Sequence, residues 1–156
     1  MQGGFGGERI LYFMEKLTRR TARENAFLAA FASTFDNAMP EDVIALNNEL
    51  GENRVDEFGR KLIDDYYEHS AEINDMIRDH LKGWTIDRIP RVSLTVLRLA
   101  LSEILYGEEK LPSVTINEAV ELTKKFGGNE DYQFVNGLLG SVVRELGLAD
   151  QDSASE

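Results

Sequence analysis

The sequence contains no cysteine. That absence excludes a disulfide framework, a thiolate metal site and a cysteine nucleophile at once. Histidine is nearly absent too: His69 and His80 stand eleven residues apart, which fits neither the i,i+3 nor the i,i+4 spacing of ligands carried on a helix. No metal and no cofactor are expected. No GxxxxGK[ST] or GxGxxG run occurs, so a nucleotide cradle is unsupported, and no catalytic constellation argues for an enzyme. Long apolar runs are missing as well. The N-terminal run Ile10 to Met14 is followed at once by Glu15 and Lys16, too short for a secretory core. The expectation is a soluble cytoplasmic protein without membrane contact. With three prolines in 156 residues, no sustained alternation of period two and no fixed repeat, the fold class is all-α.

What is present is acid. The net charge of −11 argues against a general nucleic-acid binder, which is normally basic. Its distribution is uneven: residues 1–35 hold five cations against three carboxylates, a net +2, which leaves −13 for the rest. The cations Arg19, Arg20 and Arg23 project to one side of a helix start, where free amides also attract anions. Phosphate is the ligand such a cluster suits.

Apolar periodicity divides the chain. Residues 1–7, with four glycines, read as a disordered lead-in, and 8–17 as a short helix or an extension of the next. Thr18 to Phe35 is a helix with Thr18 as N-cap and small alanines that admit a neighbour closely. Pro40 opens a helix that Gly51 stops. Asp56 to about Glu68 follows, and Ser70 is placed to cap a fourth helix ending at Gly83, unless the two merge into one bent helix. Between Val92 and Tyr106 apolar residues fall on nearly every side, so this helix must be central. Pro90 fits its first turn and Gly107 a left-handed C-cap. Thr115 and Glu118 have the spacing of a capping box for a sixth helix stopped by Gly127 and Gly128. A seventh runs from Asn129 or Asp131 to Gly147. Within it Gly137 and Gly140 suggest close helix approach. Residues 149–156 read as a frayed acidic tail. Arg98, inside the most apolar helix, needs a partner, and Glu118 is the first candidate.

Four blocks have the order and spacing of a known family: RRTARENAFLAAF from Arg19, HLKGWTIDRIPRVSLTVLRLALSEILY from His80, PSVTINEAVELTKKFG from Pro112 and QFVNGLLGSV from Gln133. Over residues 18–147 the chain resembles the NusB transcription antitermination family. The resemblance implies about seven helices in two subbundles and no enzymatic activity, with residues 1–17 a flexible extension and 148–156 a tail. It implies binding of boxA RNA together with ribosomal protein NusE, within an elongation complex that includes NusA and NusG, in support of ribosomal RNA operons. It assigns Arg19, Arg20 and Arg23 to phosphate and Phe134, or Tyr132 in its place, to base stacking. Phe134 also reads as a core residue, and stacking needs an exposed ring. The partner face maps to Phe31, Ser93 and Leu94, where the family more often carries tyrosine and a charged pair; Gln133 stands where lysine is frequent. A homodimer hiding the arginines is compatible with the same pattern. Two other readings exist: an interaction module of the kind appended to ribosomal RNA methyltransferases, which would lack an RNA role of its own, and a helical phosphorelay or scaffold module.

Overall fold

The computed structural model describes residues 16–151. Among them are seven α-helices and no strand: α1 (Arg19–Ala32), α2 (Pro40–Leu50), α3 (Glu57–Glu68), α4 (Ser70–Asp79), α5 (Arg91–Tyr106), α6 (Pro112–Phe126) and α7 (Asp131–Glu145). A short 3-10 turn, Ile86–Arg88, precedes α5. The lead-in 1–7, most of the segment 8–17 and the tail end 152–156 lie outside the described residues; residues 16–18 belong to no helix.

Helix α5 is the hub. It packs against α1, α3 and α4 on one side and α6 and α7 on the other, so it is shared by two subbundles. Val96, Leu97, Leu99, Ala100, Leu101 and Ile104 are buried on it, and so are Ser93, Thr95, Ser102 and Glu103. Most of these polar groups are satisfied: Ser102 Oγ donates to the Leu62 carbonyl at 2.9 Å and Thr95 Oγ1 to that of Arg91 at 2.8 Å. An unpaired polar atom in such a place would cost most of a hydrogen bond's desolvation.

Local chemistry sets several helix ends as expected. Thr18 is extended and its hydroxyl accepts from the Thr21 amide at 3.1 Å, capping α1. Pro40 occupies the first turn of α2, and Gly51 ends it with φ of 72°, a left-handed angle that glycine adopts without strain. Other ends differ. Gly107 follows α5 in extended backbone, φ −68° and ψ 156°, not left-handed. A β-carbon there would nonetheless sit 2.4 Å from the Glu103 carbonyl oxygen. Ser70 is already the first residue of α4; the break between α3 and α4 is the single residue His69, whose ring stacks 3.8 Å from that of Tyr106. Thr115 and Glu118 form no capping box, because α6 starts three residues earlier with Pro112 in its first turn and Leu111 as N-cap. Both side chains are thereby freed for other helices.

The close approach also lies elsewhere. A β-carbon on Gly137 would meet nothing within 4 Å, and one on Gly140 only the flexible end of Arg144. Gly59 on α3 is the glycine held against a neighbour: a β-carbon would lie 3.3 Å from Ala26 Cβ and 3.4 Å from the Ala22 carbonyl oxygen of α1. The alanines of α1 therefore do admit a helix, and α3 meets them with glycine.

Arg98 is half-buried, and its partner is not Glu118. Its Nε donates to Asn74 Oδ1 at 3.0 Å and its guanidinium lies 5.4 Å from the Tyr66 ring. Helical geometry explains the difference: positions 98 and 103 point about 140° apart around α5, so Arg98 faces α4 while Glu103 faces α1 and α6. The start of the tail is tied down, not frayed. Asp150 accepts from both the amide and the hydroxyl of Ser113, and the Gln151 amide donates to the Lys110 carbonyl at 2.8 Å.

Candidate nucleic-acid interface

The three arginines of α1 lie together, yet each is engaged by a carboxylate, and they divide by burial. Arg23 is the deep one. Its Nε donates to Glu103 Oε1 at 2.9 Å and its Nη2 to Oε2 at 2.8 Å, while Thr115 Oγ1 donates to Oε2 at 2.8 Å. The side chains of Arg23 and Glu103 are 11% and 6% exposed, so this fork is an internal joint between α1, α5 and α6. Burial by itself lowers the Arg23 pKa; the Glu103 hydrogen bonds and charge outweigh it, and the net direction is up. Arg23 stays charged and stays inside. A phosphate contact through it would break a buried pair, and the structure places it as a structural cation.

Arg19 and Arg20 are different. Arg20 is 66% exposed, and its Nε donates to both oxygens of Glu118 at 3.1 Å. That bond raises its pKa. Arg19 Nε donates to Glu109 Oε1 at 2.9 Å, and its guanidinium lies 4.2 Å from the Phe58 ring centroid. Exposed pairs of this kind contribute little to stability and exchange readily. A phosphate can replace a glutamate there.

Two cations that spacing did not single out extend the strip. Lys124 and Lys125 end α6 beside α1: Lys125 Nζ donates to Glu24 Oε1 at 2.8 Å, and Lys124 Nζ stands 4.8 Å over the Tyr132 ring. With Arg20, Arg23 and Glu118 they line a groove of ≈ 330 Å³ between α1 and α6. The KK pair before Gly127 was the available signal; only the packing of α6 on α1 gives it meaning. Tyr132 closes this strip at the first turn of α7. Phe134, two residues on, points about 200° around the same helix. It is 38% exposed, so its ring is available to solvent, and it lines a second cleft beside Trp84.

The expected partner residues do not share one condition. Ser93 is fully buried and its hydroxyl finds no hydrogen-bond partner among the described residues, so it offers nothing to a partner at the surface. Leu94 and Phe31 are half-buried against the core. Phe31 stacks 5.6 Å from Phe27 and meets the exposed Phe35 edge-on at 5.2 Å. Phe35 in turn carries the Arg91 guanidinium at 4.3 Å, linking the end of α1 to the start of α5. The described residues hold no cluster of metal-ligating side chains, and no described helix is long and apolar enough to cross a membrane.

The helical body thus sets exchangeable cations and an aromatic ring along one strip of an acidic surface, an arrangement whose chemistry suits an anionic, base-bearing chain. The chain belongs to the NusB family, whose model matches residues 20–144. It is 38% identical over 131 residues to the transcription antitermination protein NusB of Bacillus subtilis, covering 83% of this chain and 98% of that one. Among solved structures it is similar to T. maritima NusB, with a TM-score of 0.73 and 31% identity over 84% of this chain and 94% of that one. It is also similar to a chain in a complex of antitermination factors NusB and NusE with double-stranded RNA, with a TM-score of 0.72 and 29% identity over 81% and 96% of the two chains.

Proposed function

We propose that this protein is a transcription antitermination factor that binds boxA-type single-stranded RNA together with ribosomal protein NusE and supports transcription of ribosomal RNA operons. The observation that carries the proposal is the strip from Arg19 and Arg20 across Lys124 to Tyr132, set on a body that otherwise repels phosphate. The naming of its relatives as antitermination proteins and the solved complex with NusE and RNA support it.

Because Arg19 and Arg20 are held by Glu109 and Glu118, RNA must displace carboxylates to bind. The chain alone therefore binds weakly, and a partner supplies the remaining contact. NusE docks at the edge that includes Phe31 and Leu94, with Phe35 and Arg91 beside them. Ser93 lies too deep to take part. The protein works without catalysis, in the cytoplasm, within an elongation complex that includes NusA and NusG, through a domain spanning 18–147. A homodimer covering the arginines is its resting competitor. An interaction module without an RNA role would have no use for a cationic strip ending on an aromatic ring.

The test is RNA binding by the chain with and without NusE, using a boxA-type strand, a shuffled strand and a duplex. Binding of the boxA strand that NusE strengthens, and that shuffled RNA does not reproduce, is expected. Equal binding of all three with no effect of NusE would remove the proposed function.

A further inference from the structure

Helix α2 is the element the fold uses least. It packs chiefly against α1, and of its residues Ile44 alone is buried. Yet Met39, its N-cap, and Leu46 and Leu50 are 61%, 55% and 55% exposed, and Val43 between them is only partly buried. At 100° per residue these four side chains fall within about 60° of one another around the helix. Their successive spacings match the a and d seam along which helices pair. Large apolar side chains left to water in one line are costly unless something covers them.

Charge decides what can cover them. In that heptad frame Asp42 and Glu49 both take the g position, beside the seam, and both are exposed. Residues 24–53 hold six carboxylates and no lysine or arginine. RNA and an anionic membrane surface are therefore repelled from this face. A second copy fits no better: laid antiparallel it sets Asp42 and Glu49 against the same two acids, and laid parallel it offers only Pro40 and Asn47 at the e position. The edge proposed for NusE differs too, since it carries the cation Arg91. We propose that the α2 stripe is a docking surface for a basic amphipathic helix of a further protein partner. That helix lies along Met39, Val43, Leu46 and Leu50 and sets its lysines or arginines against Asp42 and Glu49. The inference is independent of the RNA-binding function proposed above.

The probe is a three-heptad helical peptide with leucine at a and d and lysine at e and g, whose own cations oppose self-pairing. Its twin carries glutamate in place of lysine. Each is labelled, and its fluorescence anisotropy is followed as the full chain is added. The lysine peptide should bind and the glutamate twin should not. Leu46→Ser with Leu50→Ser should weaken binding by about tenfold or more. Asp42→Lys with Glu49→Lys should reverse the choice, so that the glutamate twin binds and the lysine peptide does not. That reversal separates a built seat from general attraction of cations to an acidic protein, because the charge-reversed chain is still strongly acidic. All four substituted side chains are exposed, and helical circular dichroism checks that each variant folds; should the serine variant lose its helices, the charge reversal decides alone. If the lysine peptide does not bind the native chain, or binds the folded variants as tightly as the native chain, the docking surface is wrong. If NusE displaces the peptide, the stripe is part of the NusE edge; the inference fails and the antitermination reading stands. If the native chain sediments as a dimer that Leu46→Ser with Leu50→Ser dissolves, a second copy covers the stripe and the inference fails.

Discussion

Arg23 is the arginine whose loss the fold will feel most, because its removal leaves Glu103 buried with only Thr115 to satisfy it. Breaking a buried pair on one side costs about 3 to 5 kcal/mol. Arg23→Ala should therefore lower the unfolding free energy by about 3 kcal/mol or more in a denaturant melt, whereas Arg98→Ala, which frees only a neutral amide, should cost about 1 kcal/mol. Equal effects would mean that the Glu103 fork is not the joint described. Sequence reasoning placed the buried pair on Arg98 and Glu118, and both assignments failed for one reason. Periodicity says that a position on α5 is enclosed; it does not say which helix encloses it. The partners here are 80 positions apart in Arg23 and Glu103 and 24 in Arg98 and Asn74. The aromatic and cationic types were legible, while the division of the arginines into one structural and two exchangeable cations was not.

Elements were more legible than their joints. Thr18, Pro40 and Gly51 announce helix ends because their effect is local, through a hydroxyl, a fixed φ and a left-handed φ. The Thr115 to Glu118 spacing misled because a Leu–Pro start, with Pro112 three residues earlier, claimed the helix and tertiary partners claimed both side chains. The contact of α1 with α3 depends on a glycine whose role no local rule shows. Gly59→Leu should overpack that contact and cost about 1 to 3 kcal/mol, measured by thermal or denaturant unfolding; an unchanged midpoint would place α3 farther from α1.

A second joint, between the ends of α4 and α7, depends on pH. The His80 ring meets the Met76 carbonyl through Nδ1 and Glu145 through Nε2. Burial lowers its pKa, but these acceptors and Asp79 outweigh burial and raise it above 6.5. The stabilisation is therefore complete below the unfolded value and is lost as pH rises through the folded one. Stability followed from pH 6 upward should fall across that window in the native chain and should stay flatter in His80→Gln. A native profile identical to that of His80→Gln would show that the pairing does not form.

At the scale of the whole molecule, the family blocks made the two-subbundle fold and its hub readable, because they span the contacts of α5 with α1, α6 and α7. The proposed RNA surface was readable only in part: the strip is assembled from α1, the end of α6 and the start of α7, and Lys124 and Lys125 join it through packing alone. The charge balance of the molecule makes that strip the place where phosphate is tolerated. The measurement that tests this most directly is the salt dependence of boxA RNA affinity, with NusE present, for the native chain and for Arg19→Gln with Arg20→Gln. Each lost contact to a single strand flattens the slope of log affinity against log salt by about 0.7, so the double variant should flatten it by about 1.4. A double variant that folds normally and keeps both the affinity and the slope of the native chain would contradict the assignment of this strip as the RNA surface.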